Sequence, residues 1–274
     1  MNLAQALATA SLTDPGKIRG HNEDCVESRR DIGLFVLADG MGGYNAGEVA
    51  SGMATSLIAD GLAELWNPRE VDKLPRDEAM ALADRLIREQ IARANTAIFT
   101  TAQNNSECSG MGTTLVVCLF YDNFVTVAHI GDSRLYRLRG EGLELITRDH
   151  SLLQEQLDSG LITPEEAKFS QNKNLVTRAL GIDPSVEPEL HVYEAQPADT
   201  YLLCSDGLND MLDDEEIRLT LITLQANPEL TVRQLVQAAN DAGGRDNVSA
   251  MLVRVAQPYG VERGWLARFK ALFR

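Results

Sequence analysis

Two apolar runs in this chain end on the same pair of residues. Ile32-Gly33-Leu34-Phe35-Val36-Leu37-Ala38 leads into Asp39-Gly40, and Tyr201-Leu202-Leu203-Cys204-Ser205 leads into Asp206-Gly207. A carboxylate at the end of a buried strand is held rigidly by the sheet behind it. Several such carboxylates at one sheet edge repel each other unless a cation lies among them. Four polar segments add to the set: Arg19-Gly20-His21-Asn22-Glu23-Asp24, Gly110-Met111-Gly112-Thr113-Thr114, His129-Ile130-Gly131-Asp132-Ser133-Arg134 and Gly243-Gly244-Arg245-Asp246-Asn247-Val248-Ser249. Any one of them alone reads as a turn or a solvated loop. Together they place Asp39, Asp132, Asp206 and Asp246 at strand boundaries, with Asp24 after a run that carries the Arg19 guanidinium. That pattern predicts a divalent-metal site and metal-assisted chemistry.

The ligand types narrow the metal. Carboxylates, water and the Gly40 carbonyl are hard oxygen donors, which suit Mg²⁺ or Mn²⁺ better than zinc or copper. His21, His129, His150 and His191 show no metal-ligand spacing, and His129, at a strand end, reads as packed rather than ligating. Cys25, Cys108, Cys118 and Cys204 are scattered with no Cys-x-x-Cys, which argues for reduced thiols and against a thiolate zinc site. Gly40-Met41-Gly42-Gly43 lacks the third glycine of a dinucleotide fingerprint and the lysine of a P-loop, so it reads as a tight turn beside metal.

The elements that must position these residues are short strands and amphipathic helices. Strands are expected at Ile32–Ala38, Thr113–Phe120, Asn123–Ile130, Arg134–Arg139, Leu143–Thr147, Leu190–Glu194, Tyr201–Cys204 and Ser249–Val255, with a first strand within Met1–Leu12. Tyr121-Asp122-Asn123 and Arg139-Gly140-Glu141-Gly142 read as hairpin turns, hence antiparallel pairing. Helical periodicity covers Ala46–Trp66, Asp77–Thr101, Asp213–Gln225 and Thr231–Asp241, the last with Thr231 as its cap. Helices fall between groups of strands instead of alternating with them one for one. The expected class is α+β, with sheets packed together and helix pairs outside. Ser151–Asn174, polar and mixed, reads as a flap inserted between strands.

In this order and spacing the motifs resemble the metal-dependent protein serine/threonine phosphatases of type 2C, in their compact bacterial form. The match runs from about Thr9 to Val255. The resemblance implies a central β-sandwich of two antiparallel sheets flanked by helix pairs, a four-layer αββα arrangement, with two Mn²⁺ or Mg²⁺ ions at one edge. It implies that Asp39 bridges both metals, that Asp206 and Asp246 hold the first, and that Asp24 and the Gly40 carbonyl hold the second, some through water. Glu23 would act from behind as a water-mediated acid. Asp132 matches a position that helps hold a third, weaker metal, and Arg19 matches the arginine that grips the substrate phosphate. The implied reaction is hydrolysis of phosphoserine and phosphothreonine in proteins by a water bridging the two cations, without a phosphoenzyme, opposing a bacterial Ser/Thr kinase. One departure stands out: many eukaryotic members carry a histidine, proposed as general acid, where this chain has Met41. A thioether cannot donate that proton, which leaves the task to a water, with the Asp132 site as its expected location.

Composition bounds the alternatives. At 44% hydrophobic residues the chain is globular. A net charge of −15 offers no basic surplus for nucleic acid. No apolar run approaches the roughly 20 residues that span a bilayer, and no signal peptide is evident, so a cytoplasmic, monomeric enzyme is expected. The expected organisation is one catalytic domain over 1–256, with the flap near 151–174, and a basic amphipathic tail over 257–274. In that tail Trp265, Leu266, Phe269, Leu272 and Phe273 could share a helical face ringed by Arg263, Arg268, Lys270 and Arg274. It would dock on its own domain, on a partner or on a membrane surface. Two rival functions stay open at this level: a phosphatase for small phosphoesters, and a non-catalytic scaffold. The second is disfavoured because Arg19, Asp24, Asp39, Asp206 and Asp246 are all present.

Overall fold

The computed structural model describes residues 3–43, 46–167, 170 and 175–261. Its strands are β1 (Leu7–Asp14), β2 (Asp24–Arg29), β3 (Leu34–Met41), β4 (Gly112–Thr113), β5 (Leu115–Tyr121), β6 (Phe124–Ile130), β7 (Arg134–Arg139), β8 (Gly142–Leu145), β9 (Glu189–Glu194), β10 (Thr200–Cys204) and β11 (Val248–Val255). One sheet runs β1-β11-β10-β7-β8 and the other β2-β3-β5-β6-β9, with β4 paired to the end of β3. Every pairing is antiparallel.

Strand alternation builds the layers. On β3, Phe35 and Leu37 point into the space between the sheets, while Leu34, Val36 and Ala38 point outward. On β10, Tyr201 and Leu203 face inward, and Leu202 and Cys204 face outward. The central strands are therefore buried on both faces, which is why they read as unbroken apolar runs. Helices α2 (Ala46–Leu65) and α4 (Arg76–Asn104) cover the outer face of the β3 sheet through Ile58, Leu62, Ile87, Ile91 and Ile98. Helices α8 (Asp214–Leu224) and α9 (Pro228–Asp241) cover the other sheet through Ile217, Leu221, Leu235 and Val236. The shorter helices are α1 (Leu3–Ala6), α3 (Pro68–Val71), α5 (Leu152–Asp158), α6 (Pro164–Ala167) and α7 (Asp206–Asn209).

Several local expectations change. The first strand starts only at Leu7, because Leu3–Ala6 form a helical turn that buries Leu3 and Ala6 at the end of the inter-sheet core. β2 was not anticipated: Asp-Cys-Val-Glu-Ser-Arg reads as polar because it is an edge strand, with Val26 packed on the inter-sheet core and Cys25 beside Thr55 of α2 on the other face. The strand expected at Thr113–Phe120 is split at Thr114, whose N–H donates to the Asp39 carbonyl at 2.8 Å. Helix α9 begins three residues earlier than expected. Asn227 caps it, accepting from Leu230 N at 3.1 Å, and Pro228 occupies its first turn. The segment between β8 and β9 holds α5 and α6; residues 168–169 and 171–174 of the expected flap lie outside the described residues. So do residues 262–274, on which the tail helix was expected.

The described end of the chain is fastened to the β5–β6 hairpin. Asp122 and Asn123 occupy the left-handed region at φ 46° and 60°, as a two-residue antiparallel turn requires. Asn123 Oδ1 accepts from Tyr259 N and Asp122 Oδ1 from Val261 N, both at 2.7 Å. The Tyr259 ring enters the inter-sheet core beside Phe120, which also meets Phe35 and Tyr201 edge-to-face at 5.7 and 5.3 Å. Its hydroxyl donates to Phe124 O at 3.1 Å. Tyr259→Ala is expected to lower stability by about 3–5 kcal/mol, and Tyr259→Phe by about 1 kcal/mol, in urea unfolding followed by fluorescence. Equal, small losses for both would show that the ring carries no core packing.

Candidate metal centre

The acids converge at one edge of the sandwich. Asp24 and Asp39 are directly opposed partners on β2 and β3. From the other sheet, β10 ends at Cys204; Ser205 follows as the cap of α7, which Asp206 opens. Asp246 lies two residues before β11. The two sheets are tied together here by hydroxyls: Ser205 Oγ and Ser249 Oγ donate to Asp24 Oδ2 at 2.7 and 2.6 Å. That fixes the Asp24 carboxylate and turns Oδ1 elsewhere; this buried Oδ1 has no hydrogen-bond partner.

The backbone at Asp39 is equally constrained. Its N–H donates to Thr114 Oγ1 at 3.0 Å, and its carbonyl accepts from Thr113 Oγ1 and Thr114 N at 2.9 and 2.8 Å. Gly40 follows, where only glycine fits: a Cβ there would lie 2.1 Å from the Gly47 carbonyl oxygen and 2.6 Å from that of Glu23. The start of α2 is thus pressed against the end of β3. The Gly47 N–H holds the Glu23 carboxylate at this helix N-terminus, which favours negative charge. Burial nonetheless raises the Glu23 pKa, and its Oε1 is a second buried oxygen without a partner.

Electrostatics registers the crowding. Asp39 is pushed well above the usual carboxylate range by burial and then by Asp24, Asp206, Asp132 and Asp246. Asp206 is pushed well up by burial and by Asp132, Asp210, Asp246 and Asp24. Burial raises Asp24 to about 6 against the pull of Ser249 and Ser205, and raises Asp132 to about 6 with Asp149 and Asp210 adding to it. Desolvation and like charge act in the same direction; at the rim Arg19 pairs with Asp246 and Arg134 partly offsets Asp132, but neither balances the whole set. A cation would. The crowded carboxylates, the two orphaned oxygens and the glycine-lined backbone fit hard divalent metal ions.

Arg19 lies at the rim. Its Nη2 donates to Asp246 Oδ2 at 2.7 Å and its side chain is 52% exposed, so part of the guanidinium fork faces solvent. Asp132 follows Gly131 (φ 97°) in the β6–β7 turn, 7% exposed. The structure thus brings Arg19, Glu23, Asp24, Asp39, Gly40, Asp132, Asp206 and Asp246 to one edge.

Four contributors had no assigned role in the sequence. Asn247 stitches the Arg19–Asp24 loop in place: Oδ1 accepts from Glu23 N at 2.8 Å, and Nδ2 donates to His21 O at 2.8 Å and Pro15 O at 3.0 Å. Ser205 and Ser249 orient Asp24. Asp210, one helical turn beyond Asp206, adds to the negative field; its spacing from Asp206 was the available signal. The thiols nearby are not nucleophiles. Cys204 is buried with its pKa pushed up to about 12, and Cys25 accepts from Thr55 Oγ1 at 3.1 Å. All four cysteines are free.

Residues 21–253 match the profile of the family described as Protein phosphatase 2C. Serine/threonine phosphatase stp of Listeria monocytogenes is 38% identical over 247 residues, 88% of this chain and 93% of that protein. Serine/threonine protein phosphatase PstP of Mycobacterium tuberculosis is 40% identical over 264 residues, 95% of this chain and 48% of the relative. The solved catalytic domain of PstP in complex with 2 manganese ions superposes with a TM-score of 0.74 at 40% identity, covering 92% of this chain and 99% of that one. The S. agalactiae serine/threonine phosphatase gives 0.81 at 32% identity, covering 91% and 99%. Among the described residues no helix is long and apolar enough to cross a membrane.

Acids with raised pKa values make the metal-free fold pH-sensitive in a defined direction. Asp24 and Asp132 go from an ordinary 3.8 to about 6 in the folded state, so the fold binds their protons more tightly than the unfolded chain does. That contribution is fully present below about 4 and is lost as pH rises through about 6. In EDTA, the melting temperature should therefore rise as pH falls from 7 to 5. Asp39→Asn should stabilise the metal-free protein at pH 7 by about 1–3 kcal/mol. A metal-free parent that is less stable at pH 5 than at pH 7 would contradict this account.

Proposed function

The chain belongs to the protein phosphatase 2C family, and from that membership we propose that it hydrolyses phosphoserine and phosphothreonine in proteins with two divalent cations. The observation that carries this reading is the set of buried, mutually repelling carboxylates around the partnerless Oδ1 of Asp24. In the proposed assignment Asp39 would be shared between two Mn²⁺ or Mg²⁺ ions, Asp206 and Asp246 would hold the first, and Asp24 and the Gly40 carbonyl would hold the second. Glu23 acts through water, and Asp132 serves a third, weaker position. When bound, such cations supply an activated water and compensate phosphoryl charge.

The chain's own residues supply position. Ser205 and Ser249 hold Asp24 Oδ2, so Oδ1 keeps one direction. Asn247 keeps the Arg19–Asp24 loop at the correct height over β11. Arg19 offers the exposed part of its fork to phosphate oxygens while Asp246 anchors the rest. With no reactive thiol at the edge, direct attack by water fits better than a phosphoenzyme. We place the enzyme in the cytoplasm as a monomer opposing a Ser/Thr kinase, with 151–174 as the flap of its catalytic domain; residues 257–261 belong to that domain, since Tyr259 is buried in the inter-sheet core, and the tail that docks on a partner or membrane surface begins beyond Val261.

The test is turnover of a phosphothreonine peptide. Activity is expected with Mn²⁺, is abolished by EDTA, and falls by more than about 100-fold in Asp39→Asn. A small metabolite phosphate turned over faster than the peptide would replace the substrate class; no turnover of any phosphopeptide would defeat the enzyme reading.

Arg19→Lys should raise KM for the peptide about tenfold and not restore the parent's kcat, because a point charge cannot replace a planar fork. Parent-like kinetics for Arg19→Lys would show that only charge matters there.

A further inference from the structure

Three side chains outside the carboxylate centre meet at the β6–β9 edge. His129 and Glu189 are directly opposed on these strands. His150 reaches the same place because its N–H donates to Gly131 O at 2.9 Å and its carbonyl accepts from Thr177 N at 2.8 Å. The two imidazoles stack with ring centroids 4.8 Å apart and planes 21° apart. One ring nitrogen from each histidine and one carboxylate oxygen of Glu189 all lie within 4.8 Å of one another. None of the three has a role in the phosphatase reading.

We propose that His129, His150 and Glu189 form a binding site for zinc, distinct from the carboxylate centre. Two nitrogens and one oxygen are a borderline donor set, unlike the all-oxygen set at the other edge. Two histidines and a glutamate leave a fourth position open to solvent. His129 is held as ligating histidines are: Nε2 lies 2.8 Å from the Arg148 carbonyl and 3.3 Å from Arg148 N, and the tautomer that donates to the carbonyl leaves the Nδ1 lone pair for metal. The His150 side chain is 8% exposed, and its Nε2 has no hydrogen-bond partner; the nearest carboxylate oxygen, Glu189 Oε2, is 3.5 Å away. The other Glu189 oxygen is held by His191 Nε2 at 2.9 Å, which orients the carboxylate. Burial lowers the pKa of both His129 and His150 and keeps them neutral, the form that binds metal. Glu189, on an edge strand with a 36% exposed side chain, has room to close on an ion.

Proton placement defines what binding changes. Without metal, His150 Nδ1 accepts from Gly131 N at 3.2 Å, so the ring proton sits on Nε2. Zinc entering at Nε2 moves that proton through solvent to Nδ1, and the Gly131 hydrogen bond is given up. Gly131 directly precedes Asp132, so occupancy of this site alters the turn that carries Asp132.

The test uses the full chain with its carboxylate centre saturated by Mn²⁺. Calorimetric titration with Zn²⁺ should show one equivalent bound. Co²⁺ substituted for it should give the visible absorption of a four-coordinate nitrogen–oxygen site. Glu189→Gln, which sits at the surface and leaves the core intact, should weaken zinc at least tenfold, and His129→Asn or His150→Asn should remove it. Asp39→Asn should leave this equivalent in place. Zinc bound equally by the parent and Glu189→Gln, or lost in Asp39→Asn instead, would overturn the proposal. So would the absence of any equivalent competing with excess Mn²⁺. None of these readouts depends on turnover, so failure here leaves the phosphatase reading standing, and the reverse holds.

Discussion

Like-charge repulsion held inside a rigid frame is the constraint on which the rest of this molecule depends. Asp24, Asp39, Asp132 and Asp206 are buried, burial and neighbouring carboxylates raise all four pKa values, and Arg134 offsets this only in part at Asp132. A chain free to relax would spread these groups apart. Here the strands behind them cannot move: Phe35, Leu37, Tyr201 and Leu203 lock the two sheets together from within. Helices seal both outer faces. The hydrophobic layers oppose an electrostatic strain concentrated at one edge, as active sites commonly require. Two serine hydroxyls converging on one Asp24 oxygen are the local expression of that opposition.

The layered fold was legible because its strands are covered on both sides. Runs such as Leu115–Tyr121 and Tyr201–Cys204 are apolar throughout, and the polar and glycine residues beyond their ends mark where they stop. The acids were legible for the same reason: a carboxylate directly after such a run has one place to go. Edge elements were harder. β2 is half polar, because it pairs along one edge only and is exposed at Ser28 near its end. The helical turn at Leu3–Ala6 is too short for periodicity to register.

What sequence could not show is juxtaposition across topology. Ser205 and Ser249 become partners of Asp24 only when the two sheets close. Asn247 meets Glu23 only when the loop before β11 folds under the loop before β2. His129, His150 and Glu189 have no ligand spacing, since they come from a strand end, a loop and the opposing edge strand. The expectation that His129 is packed holds for its ring, which stacks on His150 and is bonded to Arg148, yet the same packing assembles a second cluster of donors.

The asparagine-turned hairpin between β5 and β6 has a geometric corollary. Strand β5 begins at Leu115, next to Thr114 and the acids, and ends six residues later at Tyr121. At 3.3 Å per residue the turn stands about 20 Å from the reaction edge. Tyr259 and Val261 clasp that turn, so the polypeptide departs from the pole remote from the phosphate. Whatever is joined beyond that clasp can tether the molecule to another surface while the mouth of the enzyme still faces outward.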